Sequence, residues 1–297
     1  MLPELRHLRY LRAVADRGNF TRAAQDLHIS QPTLSQQIQQ LERSVGAQLL
    51  DRSGRSVRLT DAGHAYLAHA RRALHELAAG ERAVQDVHDL SRGHLRLAVT
   101  PTFTAYLVGP LIAELYDRHP GITATVHEMS QDAMETQLLA DELDLGIAFE
   151  QPHLPGVAAT PLYGETLSVV VGPTAVSGSL TARRMAECPM ALLTADFATR
   201  GHINAYFSAH RVKPRIVMET NSIQALTEIV RHTQLVTVLP DPITHHHADL
   251  FLTPLDPPFP TRTVSLLIRD GAYQTAANRA FTLLTHEYAQ AHLPGPG

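Results

Sequence analysis

Apolar positions recur at helical spacing through the first 90 residues and at strand spacing thereafter. Phe20, Ala23, Ala24 and Leu27 fall at i, i+3, i+4 and i+7, which predicts a short helix over 20–28. Ser30 then stands where an N-cap belongs, and Pro32 sits in the first turn, where its missing N–H costs nothing. A second helix is predicted over 31–45, with Leu34, Ile38, Leu41 and Val45 on its buried side. Another helix is expected over about 5–17, and a hairpin over about 48–60. Residues 61–90 contain no proline, and Tyr66, Ala70, Ala73, Leu77, Gly80, Val84 and Val87 recur at alternating spacings of four and three. That heptad stripe predicts a helix that pairs with a partner, the small Ala70, Ala73 and Gly80 allowing close approach. At 1.5 Å per residue its length is about 45 Å.

From residue 92 the rhythm changes. Strands are predicted at 94–99, 122–127 and 145–149, with helices at 106–117 and 131–142 between them. A second set begins at 167–171 and continues through 190–193, 215–218 and 235–239. A strand at 263–268 and a helix over about 273–291 return to the first set, and 294–297 reads as a frayed tail. Alternating strands and helices in two sets, joined by two crossovers, make this part a doubly wound, two-lobed α/β structure.

Charge sharpens the division. Residues 1–60 hold nine arginines against five acids (Glu4, Asp16, Asp26, Glu42 and Asp51), a net of +4, so the chain's total of −4 leaves −8 for the remainder. A basic head on an acidic body suits a DNA-binding module joined to something that does not bind DNA. The outer face of the helix at 31–45 carries Gln31, Thr33, Ser35, Gln36, Gln37 and Gln40, with no acid before Glu42. Such side chains read base edges and leave phosphates unrepelled, so the pair of helices reads as a helix-turn-helix whose second helix enters the major groove. Arg52, Arg55 and Arg58 in the hairpin then suit phosphate and minor-groove contact.

Other chemistries find little support. Cys188 is the single cysteine, in Ala186-Glu187-Cys188-Pro189, which excludes an intrachain disulfide and reads as an inert thiol. Arg6, Arg9 and Arg12 interrupt any secretory apolar run, so a soluble cytoplasmic protein is expected. No Gly-x-Ser-x-Gly elbow or phosphate-binding loop occurs, and consecutive His245, His246 and His247 point in different directions, which argues against one metal site. A ligand-responsive transcription factor accounts for head, linker and body together. An exported solute-binding protein would account for the body alone, and an α/β enzyme lacks nucleophile, metal and cofactor motifs.

Specific residues also carry a resemblance. Leu8-Arg9-Tyr10-Leu11-Arg12-Ala13-Val14-Ala15, Phe20-Thr21-Arg22-Ala23-Ala24, Ser30-Gln31-Pro32-Thr33-Leu34-Ser35, Gln39-Gln40-Leu41-Glu42, Leu49-Leu50-Asp51-Arg52-Ser53-Gly54-Arg55 and Leu59-Thr60-Asp61-Ala62-Gly63 resemble the N-terminal winged helix-turn-helix of LysR-type transcriptional regulators. Thr100-Pro101-Thr102-Phe103-Thr104, Glu128-Met129-Ser130-Gln131, the run Asp141 to Phe149, Phe197-Ala198-Thr199-Arg200 and Asn221-Ser222-Ile223 are similar to the cyanate-operon branch of that family. The resemblance implies a winged helix-turn-helix over 1–60, a dimerising linker helix over 61–91, and a periplasmic-binding-protein-like effector domain over 92–297. Lobe 1 would take about 92–163 and 265–297, and lobe 2 about 164–264. It implies no cofactor and no catalysis. The partners it implies are operator DNA, RNA polymerase, further copies of the chain as dimer and tetramer, and a small anionic effector, cyanate or another small organic acid. Gln31, Pro32, Thr33, Ser35 and Gln36 would face the major groove, with Arg52 and Arg55 on the backbone. Ligands of open α/β sheets bind at the carboxyl ends of strands. The expected effector residues are therefore Thr100, Thr102, Phe103, Ser130, Gln131, Phe149, Ala198, Thr199 and Asn221, with Arg200 as the nearby cation.

Overall fold

Local capping starts each short helix of the N-terminal part. The structure, a computed structural model, describes residues 3–54, 56–88, 93–174, 178–245 and 247–295; Arg55, His246, Pro296, Gly297 and the side chain of Val87 lie outside the described set. The chain divides into two units, 1–88 and 89–297. In the first unit, α1 (Leu5–Arg17) ends on Gly18, whose φ of 58° suits a left-handed C-cap. The Asn19 side chain caps α2 (Phe20–Asp26), and Ser30 caps α3 (Gln31–Val45) through the N–H of Thr33. Two short strands, β1 (Leu50–Asp51) and β2 (Arg58–Leu59), pair antiparallel as the wing. They lead into α4 (Asp61–His88). Leu11, Val14, Ala23, Ala24, Leu34, Ile38, Leu41 and Leu49 close one core.

The first turn of α4 packs directly on the wing. A Cβ on Gly63 would stand 2.0 Å from the carbonyl oxygen of Leu49, an approach that only glycine permits. The predicted heptad stripe splits along this helix. Tyr66 and Ala70 join the core of their own unit, and Arg71 is held to Asp16 of α1 at 2.6 Å. Leu77 and Val84 remain outside it, 51% and 59% exposed. The stripe is thus not a uniform pairing face: its first turns are needed to cover α1 and α3.

The second unit begins with β3 (Gly93–Val99), a single helical turn α5 (Pro101–Thr104), α6 (Val108–Arg118), β4 (Ile122–Glu128), α7 (Gln131–Leu139) and β5 (Leu145–Phe149). The sequence places one helix from 106; the chain instead makes a turn at Pro101 and restarts after buried Tyr106 and Leu107. Next come β6 (Val157–Glu165), β7 (Leu167–Val171), β8 (Leu180–Thr181), α8 (Ala182–Met185), β9 (Pro189–Leu193), α9 (Ala198–Ala209), β10 (Arg215–Thr220) and α10 (Ile223–His232). The chain ends through β11 (Thr237–Pro240), α11 (Asp241–Thr244), β12 (Phe251–Thr253), β13 (Leu255–Asp256), β14 (Arg262–Arg269) and α12 (Ala276–His292).

Among the described residues, one five-stranded sheet and three smaller ones, among them the parallel pair β8 and β13, organise this unit. The five-stranded sheet has the order β4-β3-β5-β14-β6, its first three strands parallel and β14 antiparallel to both neighbours. The other lobe holds parallel β9 and β10, and β7 between antiparallel β11 and β12, with a parallel bridge from Met190 to Val236. Strand β6 is absent from the sequence reading because Pro161 and Gly164 argue against a strand. It lies at a sheet edge, and the register against β14 slips beside Pro161, where a missing N–H is tolerated. The first sheet keeps the chain to Glu165 and takes it back at Arg262, slightly beyond the boundaries near 163 and 265 read from the sequence. The tail is not free at its start: Gly164 N–H points at the carbonyls of Pro294 and Gly295, both at 3.2 Å.

Candidate DNA-reading face and effector cleft

Helix α3 buries Leu34, Ile38 and Leu41 and turns Gln31, Pro32, Thr33 and Gln36 outward, with Ser35 half-buried beside them. The hydroxyl of Thr33 lies 2.7 Å from that of Ser30, so the cap engages one of the expected base readers. Gln37 is also engaged, with its oxygen 3.1 Å from Nε2 of buried His7. The remaining outer face keeps amides and hydroxyls unshared among the described residues and carries no acid before Glu42.

Glu42 fastens the wing. Its Oε1 accepts the N–H groups of Leu49 (3.0 Å) and Leu50 (3.1 Å), and its Oε2 accepts Nη2 of Arg52 (3.0 Å). The Arg52 guanidinium also lies 5.0 Å from the centre of the Phe20 ring. One side chain therefore joins wing, α3 and α2, and it remains 33% exposed. Arg58 is exposed, and its charge together with the Ser53 N–H and hydroxyl holds the exposed Asp51 carboxyl below its usual range; the Ser53 backbone hydrogen bond is the largest cause. Arg55 lies outside the described residues.

In the second unit the carboxyl ends of β3, β4, β5, β9 and β10 carry the expected effector residues, and the structure sorts them into three groups. Thr102 of α5 and Thr199 of α9 meet across the lobes, Oγ1 to Oγ1 at 3.2 Å, both buried. Phe149 lies beside them through Arg262, and its ring packs tilted against Phe103 with centroids 5.0 Å apart. Thr100, at the N-cap position of α5, is buried, and its Oγ1 has no hydrogen-bond partner among the described residues. Asn221 belongs to a second group. It lines an open cavity of about 480 Å³ with Pro101, Thr104, Glu128, Ser222 and Gln224.

The third group does other work. Ser130 is exposed and caps α7 through Ala133 N–H. Gln131 is a strut: its amide donates to the carbonyl of Phe149 (3.0 Å) and to Glu135 (3.1 Å), and its oxygen accepts Phe149 N–H (3.3 Å). These bonds tie the start of α7 to the end of β5. Ala198 packs against the apolar core. Arg200 turns away from the cleft, donating to the carbonyl of Leu193 (2.5 Å), to Glu219 (2.6 Å) and to Asn204 (3.0 Å).

The cation of the cleft is instead Arg262, which the sequence reading passes over. It starts β14, opposite Glu165 at the end of β6. Its Nε donates to Glu165 Oε2 at 2.6 Å, its Nη2 donates to Thr199 Oγ1 at 3.0 Å, and its plane lies 3.8 Å over the Phe149 ring. Tyr106 donates to the other Glu165 oxygen and pairs with Tyr163 at 2.6 Å. Burial, with Glu165 nearby, pushes both phenols well above their usual range, so they stay neutral. Before the start of β14 the sequence reads Pro260-Thr261-Arg262, the look of a surface loop. Its partner is 97 positions away, and nothing local marks the pair.

Among the described residues no helix is long and apolar enough to cross a membrane, and no three metal-ligating side chains gather. Cys188 is half-buried, and burial raises its thiol pKa.

Comparison with known proteins adds the family. Residues 5–64 match the bacterial regulatory helix-turn-helix proteins of the lysR family, and residues 88–290 match the LysR substrate binding domain. The nitrogen assimilation regulatory protein nac of Klebsiella aerogenes is 32% identical over 238 residues, covering 80% of this chain and 78% of that protein. Full-length OxyR of Pseudomonas aeruginosa, solved as a variant, is 25% identical with a TM-score of 0.72, over 96% of this chain and 94% of its own. Full-length CbnR, solved with its target DNA, shares the fold at 23% identity and a TM-score of 0.68, over 96% of this chain and 99% of its own. The matched families and relatives are regulators of transcription, not enzymes.

Proposed function

This chain belongs to the LysR family of bacterial DNA-binding transcriptional regulators, and from that membership we propose that it senses a small anion, cyanate, between the lobes of its C-terminal domain and controls a cyanate-degradation operon in the cytoplasm. The observation that carries the effector reading is the meeting of Thr102 and Thr199 across the lobes. Two hydroxyls 3.2 Å apart, each on the first turn of a helix, part to admit a small linear anion and offer it donors from both sides.

The head, 1–60, is assigned to operator DNA. Gln31, Pro32, Thr33, Ser35 and Gln36 read the major groove, and Arg52 and Arg55 hold the backbone; Arg52 gives one nitrogen to Glu42 and keeps the others for phosphate. Residues 61–91 are assigned to dimerisation, supported by the exposed Leu77 and Val84. Residues 92–297 are assigned to effector binding. Tetramers form from two dimers, supported by the exposed apolar Val217 and Met218 on edge strand β10. Effector binding favours one arrangement of the oligomer and so alters DNA bend and access of RNA polymerase.

A second reading has its own support. The neighbouring 480 Å³ cavity, with Thr104, Glu128, Asn221 and Gln224 on its walls, has room for a larger organic acid. Calorimetry with cyanate and azide on the full chain, and on Thr102→Val and Thr199→Val, decides between them. Heat that is lost in both variants supports cyanate. No heat from either anion, together with an unchanged DNA footprint, moves the effector to the larger class.

A further inference from the structure

Arg262 is placed and partnered in a way that the requirements of the fold leave incomplete. Its side chain is 4% exposed, yet its Nη1 has no hydrogen-bond partner among the described residues. A guanidinium cannot shed its charge, and a buried charged donor left unpaired is costly. The other nitrogens are used: Nε and Nη2 on Glu165, and Nη2 on Thr199. Thr199 in turn touches Thr102, the pair already assigned to the effector. We propose that Arg262 is the cationic anchor of the effector site and that it selects monoanions. The inference rests on the cleft reading given above and names the chemical class that this cleft accepts.

The selectivity follows from charge and walls. Arg262 and Glu165 cancel, and Tyr106 and Tyr163 stay neutral, so the empty network carries no net charge. One added anion makes the group Glu165–Arg262–anion net −1, with Glu165 further relieved by the Tyr106 hydroxyl. A dianion would make it −2 against the aromatic walls of Phe103 and Phe149, where charge is poorly solvated. A planar or linear monoanion also matches the two N–H groups of Nη1. The position carries a consequence for signalling. Arg262 and Glu165 face one another on β14 and β6, the two strands through which the chain passes between lobes. An anion that competes with Glu165 for the guanidinium therefore acts on both crossovers at once.

The test is calorimetric titration of the full chain, in chloride-free buffer, with sodium cyanate, azide, nitrate, acetate and succinate. The variants are Glu165→Gln, the double variant Arg262→Gln with Glu165→Gln (which leaves no buried charge unpaired), and Thr102→Val; a cooperative thermal melt certifies each as folded. Wild type binds at least one monoanion, with succinate at least tenfold weaker. Glu165→Gln tightens that monoanion at least fivefold, because it frees the guanidinium, and the double variant weakens it at least tenfold. Wild-type affinity in the double variant, or weaker binding in Glu165→Gln, overturns the role of Arg262. If Thr102→Val weakens the anion while the Arg262 series leaves it unmoved, the cleft reading survives and this inference falls. Succinate binding as tightly as the monoanions overturns the selectivity, and no binding of any anion to wild type overturns both readings.

Discussion

Glu42→Ala loosens the wing, and Glu42→Gln barely does. Both backbone N–H groups that Glu42 satisfies, those of Leu49 and Leu50, go to the same oxygen, Oε1, while the Arg52 pair uses Oε2. Leu49 and Leu50 are buried, so alanine strands two donors. Each stranded donor costs about 1–3 kcal/mol, for a total of about 2–6 kcal/mol. Glutamine keeps a carbonyl oxygen for both N–H groups and loses only the Arg52 pair. That pair is one-third exposed on the arginine side and is discounted to about 0–1 kcal/mol by solvent and salt. Hydrogen exchange followed by mass spectrometry on the full chain reads the difference locally. At 1.4 kcal/mol per factor of ten, peptides covering 46–60 exchange at least ~25-fold faster in the alanine variant and within about fivefold of wild type in the glutamine variant. Peptides of the second unit stay unchanged in both. Glutamine as damaging as alanine would mean that the ion pair, not the backbone bonds, holds the wing. An alanine variant within threefold of wild type would refute the reasoning altogether.

Gln31→Ala and Ser35→Ala weaken operator binding by roughly 1–3 kcal/mol while random DNA is bound nearly as before. Equal losses on both DNAs in a band-shift titration would show that these side chains do not read bases. Arg52→Ala weakens both DNAs and lowers the salt slope by about one. Charged residues in place of Leu77 and Val84 give a smaller species by sedimentation velocity and poorer DNA binding; an unchanged oligomer would show that pairing runs elsewhere. Glu135 supplies a pH test. Burial raises its pKa, but hydrogen bonds from His153, Leu154 N–H and Gln131 outweigh burial, and the folded carboxyl titrates below its ordinary value of 4.5. A depressed folded pKa means stability present above pH 4.5 and lost as pH falls through the folded value. Glu135→Gln flattens that acid limb in thermal melts from pH 7 to 3, and an unchanged limb would assign it to other carboxylates.

Much of the head was legible in the sequence because its information is local. Cap, first-turn proline and buried face of α3 all lie within fifteen residues, and helical spacing alone separates the reading face from the core. The alternation of strands and helices after residue 92 was legible for the same reason, since hydrophobic runs mark elements wherever they later pair. Strand β6 was not, because Pro161 is tolerated only at an edge with a register slip, and neither the edge nor the slip exists until β14 is in place.

The sequence by itself determined the helices of the head and the main alternation of strands and helices after residue 92, and that the N-terminal module presents an uncharged polar face suited to DNA. Capping, periodicity and charge act within a few residues, so one chain read alone carries them. Tertiary structure decided how polar side chains are used. It turned Gln131 into a strut, sent Arg200 to Glu219, and split the stripe of α4 between core and surface. It also buried Arg262 against Glu165, Thr199 and Phe149, joining residues up to 113 positions apart. A charged side chain is stable in a core only when its partners arrive from distant strands. That condition is met in space, and no local pattern records it.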